Sequence, residues 1–324
     1  MRQVTRTGVA YLPLHGGKAP RWLFERMTKL SREIAIAVVA EFGPKEMLWR
    51  LSDPFWFQGL GCILGWDWHS SGVITTVCGA LKEGTKGLED ELGLYIAGGK
   101  GKTSRQTPAQ ITRYSELISR DPAPLVYASR MAAKVDSCAL QDGYQLYHHT
   151  FLFTAKGDWA VIQRGMNERN HYARRYHWLG EEVKDFVYEP HAAICSQGFG
   201  NVLNMVAAES ERARAVVTQV AAEERPEELL KELKKLKSLE LSSHHYLSME
   251  DLHPDRLGKI FLHTYERKPE CFERLMEMHG VGPKTIRALS LISELIYGVA
   301  PSFHDPARYS FAHGGKDGIP YPVD

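Results

Sequence analysis

The segment Met276-Glu-Met-His-Gly-Val-Gly-Pro-Lys-Thr-Ile-Arg-Ala-Leu289 restricts the fold of this chain more than any other stretch. Two glycines around one apolar residue predict a tight turn, because glycine reaches backbone conformations closed to other residues. Pro283 suits the first turn of a following helix, where its missing N–H costs least. Two helices joined at Gly280, Val281 and Gly282 follow, with Val281 pointing inward as a pin. The amides at the start of the second helix then face solvent and suit a phosphate oxygen. Lys284 and Thr285 place a charge and a hydroxyl beside them, and His279 and Arg287 flank the turn. Such contacts go to the phosphodiester and ignore base identity. A plain helical hairpin, with glycines for geometry alone, is the alternative.

The chain has 324 residues, enough for two or three domains, with 44% hydrophobic and 24% charged residues, as in an ordinary globular protein. Its formal net charge of +1 means that any nucleic-acid surface is a local patch. Cys62, Cys78, Cys138, Cys195 and Cys271 are scattered and lack zinc-site or cluster spacing, which predicts a reducing, cytoplasmic setting with no metal or cofactor. The opening MRQVTRTGVAYLPLHGG has no continuous apolar stretch, so no signal peptide is expected, and no apolar run is long enough to span a membrane.

Hydrophobic periodicity predicts an α+β chain. Gly8–Leu14 reads as a strand, and Trp22–Phe42 as an amphipathic helix with apolar Leu23, Met27, Leu30, Ile34, Ile36 and Val39. The glycine-punctuated apolar stretches Leu60–Trp66, Gly72–Leu81 and Leu92–Ala97 predict a small sheet. Pro108–Ile118 and Pro124–Ala133 read as helices. Leu146–Thr154 and Trp159–Gln163 form a hairpin about Ala155-Lys156-Gly157-Asp158. From residue 201 the chain reads as mainly helical, through Leu203–Glu223, Pro226–Leu239, a linker at Leu241–Tyr246, Ser248–Arg267 and Glu270–Met278. The division drawn is an α+β region over 1–200 and a helical region over 201–324.

Lys284 also has a chemical use. A partly desolvated lysine attacks a sugar C1′ to form a Schiff base, given a carboxylate nearby. Ile286–Tyr297 reads as helix, Gly298–Pro301 ends it, and Asp305 lies 21 residues beyond Lys284 (305 − 284). A helix out and a loop back return Asp305 near the helix start. Two roles fit each residue: nucleophile or phosphate contact for Lys284, essential carboxylate or cap of an Asp-Pro helix for Asp305. The Gly-Val-Gly-x-Lys hairpin, helix, Gly/Pro loop and aspartate resemble the helix-hairpin-helix DNA glycosylase superfamily, related to endonuclease III, over roughly residues 254–310. That resemblance implies Lys284 as the lyase nucleophile and Asp305 as the essential carboxylate. Asp67–Gly72, Gly98–Ser104 and Asp305–Gly318 are similar to a prokaryotic family of uncharacterised conserved proteins.

Other stretches carry weaker chemistry. Gly98–Ser104 lacks the glycine a P-loop needs, having Ile96 in its place, so Lys100 and Lys102 read as a basic loop touching phosphates. Arg164–Trp178 interleaves positive charge and aromatics, which suits backbone neutralisation and base stacking by Arg164, Arg174 and Arg175, or else helix-face packing. His148, His149, Asp158, His171 and His177, with Asp67, His69 and Glu83, offer a diffuse divalent-metal site. Strand alternation turns His148 and His149 to opposite faces. Trp56, Phe57, Trp66 and Trp68 read as core, or as a wedge beside an extruded base.

The function expected from these readings is DNA repair. The protein binds damaged double-stranded DNA, with RNA as an alternative partner, and excises a base with or without AP lyase activity. A metal-dependent nuclease using the N-terminal region, or a non-catalytic DNA- or RNA-binding protein, are the alternatives.

Overall fold

The computed structural model describes residues 19–66, 70–168, 172–196, 200, 202–236 and 254–309. The expected strand at Gly8–Leu14, the linker at Leu241–Tyr246, the loop at 312–318, and Asp67, Trp68, His69 and His171 lie outside them.

Four helices open the described chain: α1 (Arg21–Phe42), α2 (Pro44–Ser52), α3 (Pro54–Ile63) and α4 (Ser70–Gly84). In α1 the buried stripe is Met27, Ser31, Ala35 and Val38, at helical spacing, while Leu30 is exposed. Asp53 caps α3 by accepting from the amides of Phe55 and Trp56, and Pro54 occupies the first helical position. The sheet expected between Phe55 and Ala97 is therefore mostly helical, and only its last stretch becomes a strand. At Gly84 the glycine serves helix packing. A Cβ at Gly84 would lie 2.6 Å from the carbonyl oxygen of Thr28, so glycine there lets α4 press against α1.

The short α5 (Glu89–Leu92) leads into β1 (Leu94–Lys100), a 3-10 turn at Gly101–Gln106, α6 (Thr107–Leu117) and α7 (Ala123–Lys134). A π-helical turn (Val135–Ala139) extends α7 into β2 (Leu140–Gln141), followed by β3 (Gln145–Thr154), β4 (Trp159–Asn167), β5 (Tyr172–Leu179) and β6 (Ala193–Cys195). The main sheet is antiparallel in the order β1-β3-β4-β5-β6. The β3–β4 hairpin forms where alternation predicted it. Tyr172–Leu179 is a strand, not the helix face read from its aromatics: every second residue faces one side, and both sides are buried.

A small second sheet pairs β2 with β7 (Leu203–Asn204). Beyond it come α8 (Glu211–Glu223), α9 (Pro226–Leu236), α10 (Pro254–Arg267), α11 (Phe272–Glu277) and α12 (Pro283–Leu295). The protein is thus α+β, an antiparallel sheet covered on both faces. Leu152, Ile162 and Leu179 join the core under α1–α4. Phe151, Val161 and Trp178 join a larger core that runs through α6 and α7 to α8–α12. No helix among the described residues is long and apolar enough to cross a membrane.

Candidate nucleic-acid interface

The hairpin forms as the turn chemistry dictates. α11 ends at Glu277, and the amide of Val281 donates to the carbonyl of Met278 at 3.3 Å, closing the turn. Gly280 has φ +88°, a conformation that favours glycine, whereas Gly282 has an extended φ of −135° that any residue adopts. Only one of the two glycines is therefore demanded by backbone conformation. Val281 is buried in the larger core beside Ile286 and Leu289, and this pin is worth about 1.5–3 kcal/mol of apolar burial. α12 starts at Pro283 with no side-chain cap on its first turn. The first amides of a helix have no partner within it, so this end carries positive potential. His279, Gly280, Pro283 and Lys284 are exposed around it.

The remaining predicted contacts divide. Thr285 is 2% exposed, which takes its hydroxyl away from solvent and from any phosphate. Arg287 is half-buried, and its Nε donates to Oε1 of Gln141 at 2.6 Å. The amide of the same Gln141 donates to the carbonyl of Pro283 at 2.8 Å. One glutamine, on β2, therefore fixes the start of α12 against the sheet. Lys100 and Lys102 are exposed, at the end of β1 and in the following 3-10 turn.

Arg164, Arg174 and Arg175 do not form a backbone-binding surface. All three lie on strands with side chains turned inside, each 4% exposed or less. Arg164 lies over the ring of Tyr147 at 5.0 Å, and burial pulls its guanidinium below the ordinary arginine range. Arg175 lies over Phe57 at 5.5 Å. The strand period accounts for the burial of all three. Adjacent residues on β5 point to opposite faces, and both faces of this sheet are covered.

Arg174 holds a clasp that has no local signature in the sequence. Its guanidinium donates to Asp142 at 2.9 Å and to Asp305 at 2.6 Å, and Tyr176 donates to Asp142 at 2.7 Å. Burial opposes its charge, but the two carboxylates hold Arg174 protonated above the ordinary arginine range. Asp305 is a bonded group: its carboxylate also accepts from the amides of Gly200 and Ala307. Asp305 returns to the sheet, where its partners are Arg174, Gly200 and Ala307 and none lies on α12. Gln141, which touches Pro283, is the immediate neighbour of Asp142 in the clasp. The Asp-Pro helix after Asp305 does not form over the described residues, where an isolated bridge to Cys195 at Tyr309 occurs instead.

The described members of the diffuse metal-ligand set do not converge. His149 bonds Ser129 and Gln163, His148 bonds Thr150, Asp158 accepts from Thr154, and His177 bonds the carbonyl of Leu51. Among the described residues no group of three or more His, Cys, Asp or Glu side chains is placed to hold a metal ion.

No curated protein and no solved structure matches the chain. One family model matches it over residues 8–323, nearly its whole length, and that model is not a helix-hairpin-helix glycosylase. The resemblance to that superfamily over 254–310 is therefore withdrawn. It rested on a turn that several unrelated helical hairpins can build, and the family signal spans the sheet as well. The chain belongs to the family described as Protein of unknown function (DUF763).

Proposed function

We propose that the protein binds the sugar–phosphate backbone of a nucleic acid through the hairpin Met278–Arg287, without dependence on base sequence. The observation that carries this reading is the uncapped start of α12, exposed beside Gly280 and Lys284 and anchored from behind by buried Val281. Amides fixed in direction by a packed helix bind an anion without first losing conformational freedom. Lys284 adds a charge that a phosphate can meet on the solvent side.

Base excision asks for more than this grip. A carboxylate that stabilises a sugar cation needs a lone pair turned towards the sugar. Asp305 engages its oxygens with Arg174, Gly200 and Ala307, so backbone binding is proposed without a lyase step.

Fluorescence anisotropy with labelled duplex DNA, single-stranded DNA and RNA tests the reading. Binding is expected to weaken linearly on a log–log scale between roughly 50 and 200 mM salt. Lys284→Ala should lower that slope by about one. No binding at low salt, or a Lys284→Ala and Gly280→Val double variant that binds as tightly as the parent, would overturn it.

A further inference from the structure

A chain of buried polar groups runs through the sheet on the side away from α1–α4. Gln163, on β4, donates from Nε2 to Asp136 at 2.6 Å and to the carbonyl of Ala132 at 3.2 Å. Both partners are acceptors, so the amide nitrogen is fixed there, and Oε1 is the atom that faces His149 Nδ1 at 2.9 Å. Nδ1 must then carry the proton, and Nε2 keeps its lone pair. Ser129 Oγ lies 2.8 Å from that Nε2, so its hydroxyl donates to it. Behind Gln163, the Asp136 carboxylate also accepts from Trp178 Nε1 at 3.0 Å and from His191 Nε2 at 2.5 Å. The tautomer of His149 is thus set by its neighbours over three residues.

The front of this chain opens on a cavity of about 250 Å³. Ser129, His149 and Gln163 line it, with Arg105, Thr107, Arg130, Ala133, Leu146 and Tyr147 around them. Arg105 and Arg130 are exposed, so two cations stand at the wall of the pocket. The π-helical turn that carries Asp136 interrupts the end of α7, a departure from regular helix that recurs at functional sites.

We infer that this cavity is a second, catalytic site, in which Ser129 is the nucleophile and His149 the general base for hydrolysis of a small ester bearing an anionic group. Ser129 Oγ forms a bond to the ester carbonyl carbon while its proton passes to His149 Nε2. The adduct expels the alcohol oxygen, which takes that proton, and a seryl ester remains. Water then gives a proton to His149 Nε2 as its oxygen bonds to the acyl carbon. The bond to Oγ breaks, Ser129 recovers the proton, and the acid leaves. Ester and water become acid and alcohol, with no change of oxidation state. Burial depresses the His149 pKa below its ordinary value, so its lone pair is available at neutral pH. Gln163 is a positioning residue, since it acts by holding the imidazole. The cavity volume limits the substrate to a small molecule. Nothing here depends on the hairpin or on nucleic-acid binding.

Labelling of the intact protein with a fluorophosphonate–biotin probe, mapped by mass spectrometry, tests the inference. Adduct is expected on Ser129 in the native protein and none after heat denaturation. His149→Gln should slow labelling by about 100-fold or more with an unchanged melting temperature. Gln163→Ala should slow it too and shift the pH profile of labelling, because His149 Nδ1 loses the acceptor that fixes its proton. Arg130→Gln should raise KM for 4-nitrophenyl hemisuccinate and leave that for 4-nitrophenyl acetate unchanged. Native parent protein that takes no label on Ser129, or labels as fast in the His149→Gln variant, would show a hydrogen-bond network without catalysis and overturn the proposal.

Discussion

The turn at Gly280–Pro283 and the interior of β3–β5 carry similar residue types and treat them in opposite ways. In the turn, one apolar residue goes in and the polar groups stay out, so Lys284 and His279 meet solvent. In the strands the polar groups go in: Arg164, Arg174, Arg175, His148, His149 and His177 are all buried. The difference teaches that an arginine's location follows from the period of its element and from what covers each face. Charge alone does not place it. A buried guanidinium is tolerated where carboxylates or ring faces meet it, as Asp142, Asp305 and Tyr147 do here.

Breaking the clasp attacks the buried side of this contrast directly. Arg174→Ala strands two carboxylates inside the protein and should cost about 3–5 kcal/mol, read as a fall in the urea midpoint. A loss under about 1 kcal/mol would mean that water replaces the guanidinium with little penalty.

Acid should separate the two regions next. Burial depresses His148 and His177 to about 3 from the ordinary 6.5, and it depresses His149 as well. The unfolded chain therefore takes up protons near pH 6.5 that the fold refuses. Stability is fully present above that pH and is lost as pH falls towards 3, by up to about 1.4 kcal/mol per pH unit for each histidine. Urea unfolding at neutral and at mildly acidic pH measures the slope, and His177→Gln should reduce it.

Two substitutions then sharpen the exposed side. Gly280→Ala places a side chain at φ +88° and should cost about 1–2 kcal/mol while also weakening nucleic-acid binding. Gly282→Ala meets extended backbone and open space, so its thermal midpoint should stay close to that of the parent. The smallest effect is expected at Lys284→Ala, within about 0.5 kcal/mol in stability, because the side chain is exposed. Its consequence should be confined to the salt dependence of binding.

The legible parts of the sequence were the local ones. Helix period gave α1, α6 and α7, strand alternation gave the β3–β4 hairpin, and glycine with proline gave the turn before α12. The stretch 55–84 misled because its glycines, read as strand punctuation, include a contact point between helices, Gly84 against Thr28. The interface arginines misled for the same reason as β5: aromatics and charges do not reveal a covered sheet. The clasp and the Ser129–His149–Gln163–Asp136 chain had no local signature. The chain draws on α7, the turn after it and two strands, joined by the register that sets His149 opposite Gln163, while the clasp joins β5 to Asp142 after β2 and Asp305 after α12.

The clasp also orders events while the chain is being made. Arg174 and Asp142 are 32 residues apart and can meet as soon as β5 emerges, but Asp305 follows 131 residues after Arg174. Until then the guanidinium has only one of its two carboxylate partners. A chain ending before residue 305 therefore lacks the second carboxylate of the clasp. Released, truncated chains ending on either side of Asp305 should differ in protease resistance at the sheet.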